Sequence, residues 1–283
     1  MATFSAADGS ELSYRVFGEG APVVCLPGGP MRDADYLGDL GGLAVRRQLV
    51  VLELRGTGGS VTPDDLADCR CDRLVDDVEA LREHLGLERI DLLGHSAGGN
   101  LAVLYATSHP DRVRRLVLVA PGLGAVGIDV DGASRREIVR AREGEPWFPT
   151  AYAALEAVTG GSDRDEDWAA ISPFFYGRWD AAAQAHDAAL DEQRNDEAAR
   201  AYNAEGAYDP AATRAALTSF ESPVLLLAGE YDVNTIPTAA AEYADLFRTA
   251  ELVVQPASGH YPWLDDPDSF VATTDAFLES AGR

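Results

Sequence analysis

The sequence predicts an α/β fold: a mostly parallel central sheet flanked by helices, with a helical cap inserted between two of its strands. Three observations predict it. Short apolar runs recur along the chain, most of them continuous rather than alternating, as strands buried on both faces of a sheet require. Stretches with helical spacing separate them, so strand and helix alternate in order. One long interruption, residues 122–218, is rich in Ala, Asp, Glu, Trp and Tyr and carries no strong strand signal.

Taken in order, Asp8-Gly9 lies between two stretches of strand character and predicts an opening hairpin leading to Val16-Phe17. Strands are then expected at Val23 to Leu26, Leu49 to Leu54, Ile90 to Leu93, Val113 to Val119, Val224 to Leu227 and Leu252 to Val254. Asp72 is placed to cap a helix in which Leu74, Val78, Leu81 and Leu85 recur at helical spacing and Gly86 ends the run. Leu101, Leu104 and Tyr105 mark another, closed by His109-Pro110. Within the interruption a helix is expected from Asp180 to Ala189, while the acidic run Asp163 to Asp167 reads as a solvated loop. The expected division is a core of residues 1–121 and 219–283 and a cap, or lid, of residues 122–218.

Composition removes whole classes of function. The 283 residues carry a formal charge of -24, which repels phosphate backbones and anionic headgroups, so neither nucleic acid nor a membrane surface is an expected partner. All 23 basic residues are arginine. Without lysine there is no Schiff base, no Ser-Lys dyad and no Walker-type phosphate loop. The first ten residues lack the basic and apolar regions of a leader, and no run approaches the roughly 18 apolar residues of a membrane span, so a cytoplasmic protein is expected. Three cysteines make no disulfide framework, and the pair Cys69 and Cys71 falls short of a four-ligand metal site. No metal and no cofactor is expected.

The strongest chemical signal is Gly94-His95-Ser96-Ala97-Gly98. It follows a strand and precedes a helix, the setting of a nucleophile elbow, where small residues are needed because the turn crowds neighbouring chains. A plain turn with a capping serine is the bland alternative. Serine needs a general base, and the base an orienting acid. Of five histidines, His84 lies in a helix, His95 flanks the serine, His109 ends a helix and His186 lies in the cap, which leaves His260 in the loop after the last strand. Leu227-Ala228-Gly229-Glu230-Tyr231-Asp232 supplies the acid, Asp232 being the first candidate and Glu230 the second. The chain order Ser96, Asp232, His260 is one of three known triad orders. Arg55-Gly56-Thr57-Gly58-Gly59-Ser60 superficially suggests phosphate binding but matches no phosphate motif, and reads as a tight turn at the mouth of the sheet.

Together these residues resemble the α/β-hydrolase superfamily over essentially the whole chain. Leu26-Pro27-Gly28-Gly29-Pro30 after the third strand, the Arg55 to Ser60 turn and the inserted cap resemble its proline iminopeptidase-like branch. That branch carries His-Gly-Gly-Pro-Gly and Asp-x-Arg-Gly-x-Gly-x-Ser; here Pro27 replaces the histidine, Met31 the last glycine and Glu53 the aspartate, and Ala97 stands where those peptidases place tryptophan.

The resemblance implies an α/β-hydrolase fold and a serine hydrolase acting on an ester, amide or lactone of a small-molecule or short-peptide substrate. Its oxyanion hole would use the backbone N–H groups of Ala97 and, by alignment with the family loop, Gly29. Trp147, Phe175 and Tyr176 are candidates for lining an apolar pocket or for packing the cap onto the core, and Glu205 is a candidate cap acid for holding a free amine. A thioesterase, cyclase or lyase on the same fold, or a non-catalytic binding protein, are the alternatives.

Overall fold

The computed structural model describes residues 1–280. In chain order the elements are β1 (Ala2–Ser5), β2 (Glu11–Phe17), β3 (Pro22–Leu26), β4 (Gln48–Leu52), α1 (Val75–His84), β5 (Ile90–His95), α2 (Ala97–Ser108), β6 (Val113–Val119), α3 (Gly132–Ile138), α4 (Phe148–Thr159), α5 (Asp165–Ala170), α6 (Ala181–Leu190), α7 (Asp196–Tyr202), α8 (Pro210–Leu217), β7 (Val224–Gly229), α9 (Pro237–Ala244), β8 (Ala250–Gln255), α10 (Pro262–Asp265) and α11 (Pro267–Glu279).

Eight strands form one sheet in the order β1-β2-β4-β3-β5-β6-β7-β8. The β1–β2 hairpin turns at Asp8-Gly9 and joins antiparallel to β4, whereas β4, β3, β5, β6, β7 and β8 run parallel. Every residue of β5 and β7 is buried; β7 is accordingly apolar throughout, while β5 also buries Asp91, whose carboxylate accepts from Arg114 and Arg115, and His95. The two faces pack separate apolar clusters, one against α1, α2 and α9, the other against α10 and α11. Each fully buried Leu or Val there contributes about 1.5–3 kcal/mol of transfer free energy.

Two elements differ from the sequence expectation. Asp72 does not cap α1: both of its carboxylate oxygens are taken by Arg70, and the helix begins at Val75 after a turn. The acidic run does not stay a loop, since Asp165, Glu166 and Asp167 form the first turn of α5, where negative charge is favoured by the unpaired N–H groups of a helix start. Asp180, by contrast, caps α6 through hydrogen bonds from the N–H groups of Ala182 and Ala183. Between β6 and β7 the described elements are helices and helical turns. Their own apolar cluster joins Val139, Phe148, Leu155, Ile171 and Phe174 to Val233 of the core.

Candidate active site

The strand order places the chemistry. Strand β3 lies beside β5 with Leu26 opposite Gly94, so the loop after β3 and the turn after β5 leave the sheet side by side. A methyl group on Gly28 would sit 2.7 Å from the His95 carbonyl oxygen and 2.8 Å from the Ser96 Cβ. Only glycine allows this approach.

Ser96 occupies the turn between β5 and α2 with φ 52° and ψ -124°, a conformation that non-glycine residues adopt at a cost. Its peptide is over-determined: its N–H donates to the Val119 carbonyl, and its carbonyl accepts from Gly99 at 2.8 Å and Gly122 at 2.6 Å. The chains cross so closely that a Cβ on Gly98 would lie 2.2 Å from the Leu26 carbonyl oxygen. Nor does the Ser96 hydroxyl cap α2; it is left for other work. Among the described residues, the N–H groups of Ala97 and Gly29 donate to no protein acceptor, while the Ala97 carbonyl accepts from the Tyr202 hydroxyl at 2.7 Å.

Strand β8 pairs with β7, Gly229 opposite Gln255, and the loops after both strands meet. His260 Nδ1 lies 2.9 Å from Asp232 Oδ2. The other carboxylate oxygen accepts from the N–H groups of Asn234 at 2.8 Å and Thr235 at 3.2 Å. Asp232 is fully buried, and three donors compensate its lost hydration. Arg135 of α3 donates to the Val233 carbonyl and steadies the same loop. Glu230, the second candidate acid, instead accepts from the Ala257 N–H and so shapes the turn before His260.

His260 is linked to the elbow through His95, the residue before Ser96. Their rings lie 4.9 Å apart, and His95 Nε2 is 2.9 Å from the His260 carbonyl oxygen. From the segment between β6 and β7, Phe175 accepts the His260 N–H at 2.7 Å on its carbonyl and sets its ring edge-on to the imidazole at 6.1 Å.

The remaining cap candidates are placed differently. Tyr176 is fully buried, its hydroxyl is spent on His186 Nδ1, and its ring packs on Tyr261, so it ties the segment between β6 and β7 to the loop after β8 and is shut away from solvent. Trp147 is half-buried, edge-on to Phe174 and under the Arg142 guanidinium. Glu205 is exposed in the turn after α7, where its backbone carbonyl accepts from Arg70. In the Arg55 turn, buried Arg55 forms a two-pronged bond with Asp77. Glu53, fully buried, accepts from Arg15 and from the Ala34 N–H, tying that turn to the loop after β3. Cys69 and Cys71 are buried thiols, and burial raises them to about 11 and about 12.

Two residues that sequence reasoning set aside lie at the centre. His95 and His186 are both held below the ordinary histidine range, first by burial; His260 and Arg32 add to this for His95, and Arg32 for His186. The sign follows directly. An unfolded chain protonates both imidazoles below about pH 6.5 while the folded chain resists, so stability is fully present above that pH and is lost as pH falls. The loss is at most about 1.4 kcal/mol per pH unit for each histidine. In urea unfolding between pH 7 and 5.5, His186→Gln should show a shallower decline than the wild type; equal slopes would show that His186 contributes nothing.

A strand, strained serine turn and helix at the centre of a largely parallel sheet, with a His-Asp pair on the loops of two outer strands, define the α/β-hydrolase class. The alpha/beta hydrolase fold family model matches residues 21–267, and the chain belongs to that family and is a hydrolase. Among its relatives, the proline iminopeptidase of Heyndrickxia coagulans is 27% identical over 96% of both chains. That of Lactobacillus helveticus (strain DPC 4571) is 38% identical over 39% of this chain and 40% of its own. The structure of an esterase from Rhodococcus sp. ECU1013 matches with a TM-score of 0.75 and 26% identity, covering 99% of each chain. Among the described residues no helix is long and apolar enough to cross a membrane.

Proposed function

We propose that the protein is a serine hydrolase that cleaves an ester, amide or lactone bond of a small to mid-sized substrate through an acyl-enzyme. The observation that carries this reading is the buried His260–Asp232 pair beside the strained Ser96 turn. Asp232 accepts the Nδ1 proton, so Nε2 is the basic nitrogen and takes the Ser96 hydroxyl proton as the oxygen attacks the carbonyl carbon. Negative charge then develops on the carbonyl oxygen, and the Gly29 and Ala97 N–H groups, with no protein acceptor of their own, receive it. His260 returns the proton to the leaving group, and water repeats the sequence to clear the acyl group. Helices α3 to α8 serve as the cap of residues 122–218, limiting water and shaping the acyl pocket with Phe175.

Ester or lactone cleavage is favoured over aminopeptidase action. An aminopeptidase must hold a substrate ammonium, yet Glu205 is exposed, and the cap carboxylate of Asp187 is raised by burial and faces the field of Arg32. Arg32 follows the Gly29 loop and donates from Nε to the Leu190 carbonyl, and its positive charge opposes an ammonium there. Purified protein offered p-nitrophenyl esters and proline-p-nitroanilide should turn over the esters with the higher kcat/KM. Preference for the anilide would reverse the assignment, and turnover of neither would point to a specialised pathway substrate.

A further inference from the structure

A chain of buried hydrogen bonds runs between the two halves of the site, and its directions can be assigned. The His260 carbonyl can only accept, so His95 carries its proton on Nε2 and accepts at Nδ1. Tyr36 must then donate its O–H to His95 Nδ1, at 2.8 Å, and its oxygen accepts the Gly28 N–H at 2.6 Å. The same logic repeats one step toward the cap. His186 Nε2 donates to the Tyr36 carbonyl at 3.1 Å, and His186 Nδ1 accepts from the Tyr176 hydroxyl at 2.9 Å. Every donor and acceptor of the two imidazoles is used, and each imidazole must be neutral for this to hold.

We propose that Tyr36 and His95 are positioning residues that hold the oxyanion loop and the general-base loop in register with each other. The proposal rests on the serine-hydrolase reading of Ser96. One end of the chain is the peptide N–H immediately before Gly29, and the other is the carbonyl of His260 itself. Its middle, His95, is covalently next to Ser96. Thus the nucleophile, the base and the loop donor are referred to a single pair of side chains, packed among Tyr261 and Trp263 with the His95 and Trp263 rings 4.7 Å apart. Tyr36 also supplies an anchor for the loop in which Pro27 stands and which Pro27 cannot provide, having no polar side-chain atom. Misplacement of about 1 Å in such a site costs on the order of 10²-fold in rate.

The test uses the full chain, a p-nitrophenyl ester and a fluorophosphonate probe. Tyr36→Phe should lower kcat by roughly 10- to 100-fold, change KM by less than about three-fold, and slow fluorophosphonate labelling in parallel with kcat. His95→Leu should behave alike. His95→Gln, whose amide offers both a donor for His260 and an acceptor for Tyr36, should recover kcat to within about three-fold of the wild type. This recovery distinguishes positioning from packing, and the His95 pair carries the test should Tyr36→Phe fail to fold. Labelling at Ser96 with an unchanged kcat in Tyr36→Phe, or a His95→Gln variant as impaired as His95→Leu, overturns the proposal while leaving the hydrolase reading intact. A wild-type protein that is not labelled at Ser96 overturns both.

Discussion

Ser96→Ala is expected to abolish covalent labelling by a fluorophosphonate and to lower kcat on a p-nitrophenyl ester by at least about 10⁴-fold, with thermal stability nearly unchanged. The expectation of an intact fold comes from the structure. The Ser96 side chain makes no capping bond to α2, and alanine occupies the same strained φ of 52° through the same peptide hydrogen bonds. What is removed is the oxygen alone. Residual catalysis over water should survive, because the Gly29 and Ala97 N–H groups, free of protein acceptors, remain. Mass spectrometry of the labelled wild type should place the adduct on Ser96; undiminished labelling or turnover in the alanine variant would sink the assignment.

Asp232→Asn is expected to cost about 10⁴-fold in kcat while the protein stays folded, and the reason is a tautomer. Two backbone donors, from Asn234 and Thr235, already converge on Oδ1. An asparagine must keep its carbonyl oxygen there, since turning its NH₂ toward two N–H groups would bury opposing donors. Its NH₂ then faces His260 Nδ1, which becomes an acceptor, and the imidazole proton moves to Nε2. An Nε2–H cannot take the Ser96 proton. Rates measured with a p-nitrophenyl ester, alongside circular dichroism of the same preparation, check this. A loss below about tenfold would show that Asp232 does not set the imidazole tautomer.

Much of the fold was legible because its signals are local. Continuous apolar runs marked the buried strands, Gly86 marked the end of α1, and Gly94 to Gly98 marked a turn whose crowding is visible in the small residues it demands. Where two local signals competed, reading from sequence went astray. Asp72 looked like a cap, but Arg70 two residues away offered its carboxylate a better partner. The run from Asp163 looked like solvated charge, but three of its acids suit a helix start.

By itself, then, the sequence determined the class of fold and the sharp strand-to-helix turn at Ser96. Only the tertiary structure decided which side chains meet. The reason is physical: periodicity and turn chemistry act over a few residues, whereas the bonds from Gly28 to Tyr36, from Tyr36 to His95 and from His95 to His260 depend on strand order. With β4 outside β3 and β3 against β5, the loop after β3 falls beside Ser96. The same placement turned Tyr176 from a candidate pocket wall into a buried partner of His186, and set His95 between the Tyr36 hydroxyl and the His260 carbonyl.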